Sequence, residues 1–251
     1  MSYVSGSAAT ALRQATATPT LTLGAAVSVG DIIVIYTGHD TSASDTVPTD
    51  SLGNTYSFQG SALTDANFNI HRVATARVTT AGTPTITMHL PGTPTSGAFA
   101  AAAYSGRATS SWVTDFDNAE QATPATSADG ITCPALTVSA GDDVIYFMVE
   151  VGGNQGVFSA GTGFTERIET PTTTPGTDFN VSLTDQLNVS AGSLTPVGTT
   201  SNSSRTVSFA ISLASGGGAP VTYNATGSEG SSESGTPSVA FAPGIIYKLR
   251  W

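Results

Sequence analysis

The feature that most restricts the fold is an internal repeat: "VSVGDIIVIY" at Val27 to Tyr36 returns as "VSAGDDVIYF" at Val138 to Phe147. At the same offset Phe68-Asn69-Ile70 falls on Phe179-Asn180-Val181. Val78-Thr79-Thr80-Ala81-Gly82 then falls on Val189-Ser190-Ala191-Gly192 with one residue lost. Past that deletion Phe99-Ala100 meets Phe209-Ala210, and Ser105-Gly106 meets Ser215-Gly216. Chance identities in a Ser/Thr/Ala-rich chain scatter over many offsets, whereas anchors that keep their order mark two copies of one unit. Each copy, at about 90 residues, is long enough to bury a core.

Composition decides what the copies are made of. Charged residues are 10% of the chain, against about a quarter in ordinary soluble domains, and Ser, Thr, Gly and Ala fill the difference. Thr and the β-branched aliphatics favour strands, while Glu and Lys, which build exposed helices, are scarce. The expected class is all-β. A net charge of −10, with Lys248 the sole lysine, cannot neutralise a run of phosphates, so no nucleic-acid partner is expected. No apolar run approaches the roughly 18 to 20 residues that span a bilayer, so no membrane insertion is expected. The start "MSYVSGSAATALRQ" lacks the basic and apolar parts of a secretory signal, and the retained Met1 argues against a cleaved one. Cys133, alone and followed by Pro134, is read as a buried apolar residue that forms no disulfide.

Short apolar runs separated by turn residues have the spacing of a sandwich or barrel. Strands are expected at 20–27, 32–37, 55–59, 67–76, 84–90 and 98–104 in the first copy. In the second they are expected at 135–138, 144–151, 164–168, 179–189 and 206–213. Gly30-Asp31 and Gly141-Asp142 read as tight turns, each marking a hairpin, since Gly accepts positive φ and Asp bonds its own turn. Phe179, Val181, Leu183, Leu187 and Val189 share one parity, broken by Asp185; Val207, Phe209, Ile211 and Leu213 share another. The runs "IIVIY" and "VIYFMV" are apolar at both parities. They suit central strands covered on both sides, by a second sheet and by the sister copy or a subunit, with the contact between copies favoured.

The resulting organisation is an N-terminal extension (1–18), a first β-sandwich repeat (19–106), a linker (107–130), a second repeat (131–216) and a C-terminal tail (217–251). The tail combines a Gly/Ser-rich tether, which cannot bury enough surface to fold alone, with the apolar end "VAFAPGIIYKLRW". Val239, Phe241, Ile245, Ile246, Tyr247, Leu249 and Trp251 are the candidate docking residues, adding to a neighbour's sheet edge or packing on their own lobe.

Chemistry-bearing residues are few. His39, His71 and His89 lack zinc-site spacing, and His39-Asp40 has no nucleophile elbow to serve. Glu150, Glu166 and Glu169 are the candidates for a carboxylate pair in glycoside hydrolysis, but they lie at a strand end and in a following hairpin and form no E-x-D-x-x-E strand motif. Asp115, Asp117, Asn118 and Glu120 offer oxygen ligands for calcium but lack the glycine and spacing of an EF-hand loop, and no metal or cofactor is expected. Trp112 and Phe116 in the linker either cap an open sandwich end or form a platform for a sugar ring. Tyr104 and Tyr56 join Trp112 as candidate glycan contacts.

The order "GDIIVI", "DSLGNTYS" at Asp50 to Ser57 and "YSG" at Tyr104 to Gly106, followed by "GDDVIYF" and "GTGFT" at Gly161 to Thr165, resembles jelly-roll-like β-sandwich modules. Such modules occur in virion proteins of tailed bacteriophages and in some bacterial surface proteins. The resemblance spans residues 20 to 216. It implies a duplicated antiparallel sandwich with no catalytic residues. The expected function is a non-enzymatic structural protein of a virion, an exterior decoration, neck or fibre component docked through its termini, with other virion proteins and copies of itself as partners. The alternatives are an adhesive module that binds host carbohydrate and a polysaccharide hydrolase.

Overall fold

The run from Ile32 to Tyr36 lies at the centre of a sheet buried on both faces, because alternate residues feed two separate cores. The computed structural model describes residues 3–12, 14–41, 45–121, 130–151, 156–170, 179–201 and 205–216. No helix occurs among the described residues, which are built from strands alone.

The first half contains β1 (Ala9–Leu12), β2 (Thr20–Thr22), β3 (Ile32–His39), β4 (Thr46–Asp50), β5 (Tyr56–Thr64), β6 (Ile70–Arg77), β7 (Thr85–His89) and β8 (Gly97–Tyr104). The second opens with β9 (Val113–Gln121), β10 (Ile131–Thr132), β11 (Leu136–Val138), β12 (Asp143–Val151) and β13 (Phe158–Ala160). It continues with β14 (Thr165–Glu169), β15 (Asn180–Gln186), β16 (Gly192–Leu194), β17 (Val197–Thr200) and β18 (Arg205–Leu213). One five-stranded antiparallel sheet has the order β1-β8-β3-β6-β5 and the other β9-β18-β12-β15-β14. Replacing β1, β3, β5, β6 and β8 by β9, β12, β14, β15 and β18 converts one order into the other. Outside the first lies the sheet β2-β7-β4; outside the second lie β10-β17-β13 and β11-β16.

Between the large sheets runs one shared core. Ile32, Val34 and Tyr36 of β3 meet Ile145, Phe147 and Val149 of β12. The opposite parity, Ile33 and Ile35 or Val144, Tyr146 and Met148, packs against the small outer sheets. The two-sided burial read from the sequence is therefore a contact between halves. The chain up to Gly217 forms one unit, not two lobes.

The equivalence reaches individual hydrogen bonds. Gly30 N donates to Val78 O and Val78 N to Asp31 O; Gly141 N donates to Val189 O and Val189 N to Asp142 O. Both glycines have positive φ, and Gly82 and Gly192 both sit at φ 147°. These turns are tight as expected but are not hairpins. Each carries the chain from a small sheet to a large one, since β2 pairs with β7 and β3 with β6 and β8.

Two sequence anchors slip by one residue. Asn188, at φ 53°, is an extra residue between Val189 and the paired part of β15, and its N–H is capped by Asp143 Oδ1. Such a bulge shifts register by one. Consequently Phe68 is exposed in a turn whereas Phe179 is buried; a second slip, beyond Gly192, places Phe209 opposite Phe147 where Ala100 stands opposite Tyr36, so Phe99 faces an outer core whereas Phe209 faces the central one. A one-residue slip in a strand reverses the face of every side chain.

The large sheets of the two halves pack face to face across the shared core. β1 lies on β14 and, reciprocally, β9 lies on β5. Tyr36 and Phe147 occupy equivalent positions and touch each other, ring centroids 5.7 Å apart. The N-terminal extension contributes β1, paired with β8, and the expected linker contributes β9, paired with β18.

Candidate functional site

At the His39 end of β3, a buried polar network links strands of the first half. Asp65 and Asp50 build the same turn. Each carboxylate accepts the backbone N–H groups two and four residues on, then the side-chain amide of the Asn four residues on. Each also meets a polar ring atom six residues on: Tyr56 Oη donates to Asp50 at 3.0 Å, and His71 Nε2 lies 3.3 Å from Asp65 Oδ2. The signal was present in "DSLGNTY" and "DANFNIH", although the residues were not singled out as a pair.

His71 is fully buried, stacked between Tyr36 and Phe179. Burial holds its pKa below the ordinary histidine value despite the opposing pull of Asp65. The neutral ring has one consistent arrangement here, with Nε2–H toward Asp65 and Nδ1 accepting from the Tyr36 hydroxyl at 2.7 Å. Burial alone raises the Asp65 carboxyl, but hydrogen bonds from His71 and Asn69 outweigh it and hold it down to about 2. His39, equally buried, sets Nε2 3.1 Å from Asp45 and Nδ1 2.6 Å from the Thr41 hydroxyl. His89 lies on a half-exposed face beside Thr49.

The three glutamates lie near enough to one another for Glu166 and Glu150 to act on Glu169. Glu150 is buried, its carboxylate accepting from Gly156 N and Thr200 Oγ1. Glu169 accepts from Phe158 N and Asn180 Nδ2, and burial, reinforced by Glu166 and Glu150, raises its pKa. Beside it the Thr170 hydroxyl donates to Asn180 Oδ1. Glu166 is exposed and meets Ser182 at 3.4 Å.

Of the aromatic candidates, two are corrected. Tyr104 is completely buried with its hydroxyl donating to Asp185, and Tyr56 is buried on Asp50, so neither presents a face to a sugar. Trp112 and Phe116 are half-buried against the central core, as the capping reading expects. Trp112 Nε1 donates to Thr75 Oγ1 at 3.1 Å, and Gln59 Nε2 reaches the same oxygen at 2.9 Å. A surface cavity of about 280 Å³ opens there, lined by Gln59, Ser111, Trp112 and Val113.

The calcium candidates are corrected as well. Asp115, Asp117, Asn118 and Glu120 lie along β9, where the alternation puts Asp115 and Asp117 on one face and Asn118 and Glu120 on the other, so the four do not converge on one ion. Asp115 and Asp117 instead accept the N–H groups of Phe116 and Asn118, and Glu120 pairs with Arg205 at 2.6 Å. Cys133 is buried, and that burial pushes its thiol up to about 12. The docking residues Val239, Phe241, Ile245, Ile246, Tyr247, Leu249 and Trp251 lie outside the described residues. No protein family, no curated protein and no solved structure matches the chain.

Proposed function

We propose that this chain is a non-enzymatic structural protein, an exterior component of a tailed-phage virion, whose paired sandwich forms a rigid body and whose terminal segments dock it. One positive observation carries the reading. His39, His71, Asp65 and Glu150, the groups best suited to acid–base work, are buried and held by internal contacts. Their hydrogen-bonding capacity goes into cross-strand order, which is what a load-transmitting module needs. The virion assignment rests on the sequence resemblance, and the docking assignment on the apolar, aromatic tail end.

The test is deletion of Val239 to Trp251 in a phage genome that carries this gene, followed by mass spectrometry of purified particles. The reading expects full-length protein on the particle and the truncated protein free in the lysate. Full incorporation of the truncated chain contradicts docking, and absence of the full-length chain from particles contradicts the virion role.

A further inference from the structure

The matching strand orders of the two large sheets supply an internal comparison for the Trp112 cavity. At the opposite edge of the central core, the position equivalent to Thr75 is Asp185, and the residue that reaches it is Arg167, which the registers leave unpaired at the bulge of β14 between Glu166 and Ile168. Arg167 grips Asp185 through two hydrogen bonds of 2.8 and 2.7 Å, and its guanidinium lies 4.4 Å from the Tyr3 ring centroid. Tyr104 donates to the same carboxylate. That edge is closed by an ion pair capped with an aromatic ring. The Gln59 edge keeps the aromatic and the cross-strand polar pair but replaces both charges with an amide and a hydroxyl, and it stays open.

We infer that this open edge is a binding site for a neutral saccharide. The lining carries an indole, an amide, a hydroxyl and an aliphatic side chain and no charge, so an anionic ligand finds no counter-ion there. The indole is fixed at both ends of its residue, Nε1 on Thr75 and the carbonyl accepting from Ala214 N at 2.7 Å. A half-buried ring held this way offers a flat apolar face at little entropic cost, suited to the C–H face of a pyranose. Gln59 Nε2 is engaged by Thr75 and Ser57, which orients the amide, and its Oε1 accepts no hydrogen bond among the described residues. Ser111, exposed and at φ 47°, stands beside it in a backbone conformation that a non-glycine residue rarely adopts. About 280 Å³ lies near the lower bound for small-ligand pockets, the scale of one or two sugar rings.

The test uses the full chain carrying Trp251→Phe, so that Trp112 is the sole indole and reports directly. It is screened on an array of neutral glycans, and each hit is titrated by Trp112 fluorescence. The inference expects saturable binding that shifts the emission. Trp112→Ala, followed by calorimetry, and Gln59→Ala, followed by fluorescence, should each lower affinity by about tenfold or more. Trp112→Phe, which keeps a ring, should retain part of the affinity and unfold at the parent temperature. No hit among the neutral glycans overturns the inference. So does undiminished binding by Trp112→Ala, which would move the site to the second uncharged cavity, about 390 Å³ around Ser159, Phe164 and Thr199. Particle incorporation should be indifferent to Trp112→Ala, so this inference and the virion role fail separately.

Discussion

Phe68 sits at φ 64° with 74% of its surface exposed, at the place in the Asp65 turn where the matching Asp50 turn has Gly53 at φ 75°. A side chain in the left-handed region costs about 1 kcal/mol that glycine avoids. Phe68→Gly should therefore leave the fold intact and raise stability by about 0.5 kcal/mol in urea titrations; a clear loss would reveal a contact for the ring. His71 acts in the other direction. Burial depresses its folded pKa below the ordinary histidine value of about 6.5, so the folded state binds its proton less readily than the unfolded state. Its contribution is complete above pH 6.5 and is lost as pH falls through the folded value. Asp65, depressed from 3.8 to about 2, adds a second loss at lower pH. Urea midpoints should decline from pH 7 to pH 5 in the parent and much less in His71→Gln, and equal slopes would show that His71 is not the titrating group. Neither His71 nor Asp65 was legible as a pair, because their contact depends on the strand following the turn.

At the scale of elements, the strands with strong apolar patterning were legible, and those at edges were not. β3, β8, β12 and β18 bury both faces, so their residues announce them. β9 reads "VTDFDNAEQ", a polar string, yet it is a sheet edge whose polarity is its protection. An edge strand leaves alternate N–H groups without a neighbour, and Asp115 and Asp117 cap two of them. Asp115→Ala with Asp117→Ala should give concentration-dependent self-association in light scattering, while the Asn variants, which retain an acceptor, stay as the parent. Register was harder still. The bulge at Asn188 moves a whole strand by one position, and an alignment of identical letters slides past it. The Arg167–Asp185 pair joins β14 to β15 with Asp185 buried, so Arg167→Ala strands a carboxylate and should cost about 3 kcal/mol. Of the glycan candidates, Trp112 alone keeps an accessible face. Tyr104 and Tyr56 read as surface residues because their strand positions were known but the layer covering them was not.

For the molecule as a whole, the decisive feature is that each half offers its large sheet to the other. A sheet apolar on both faces cannot stand as a two-layer sandwich, and here a small sheet covers one face while the sister half covers the other. The halves are therefore expected to fold and melt together, with no stable single lobe. Scanning calorimetry of the full chain tests this most directly, comparing the parent with Phe147→Ala in the shared core. A shared core predicts one peak whose calorimetric and van't Hoff enthalpies agree. It also predicts that the variant moves this single peak down, by the equivalent of about 3–5 kcal/mol, without splitting it. Two peaks in the parent, or a variant that shifts one transition and leaves another in place, would contradict it.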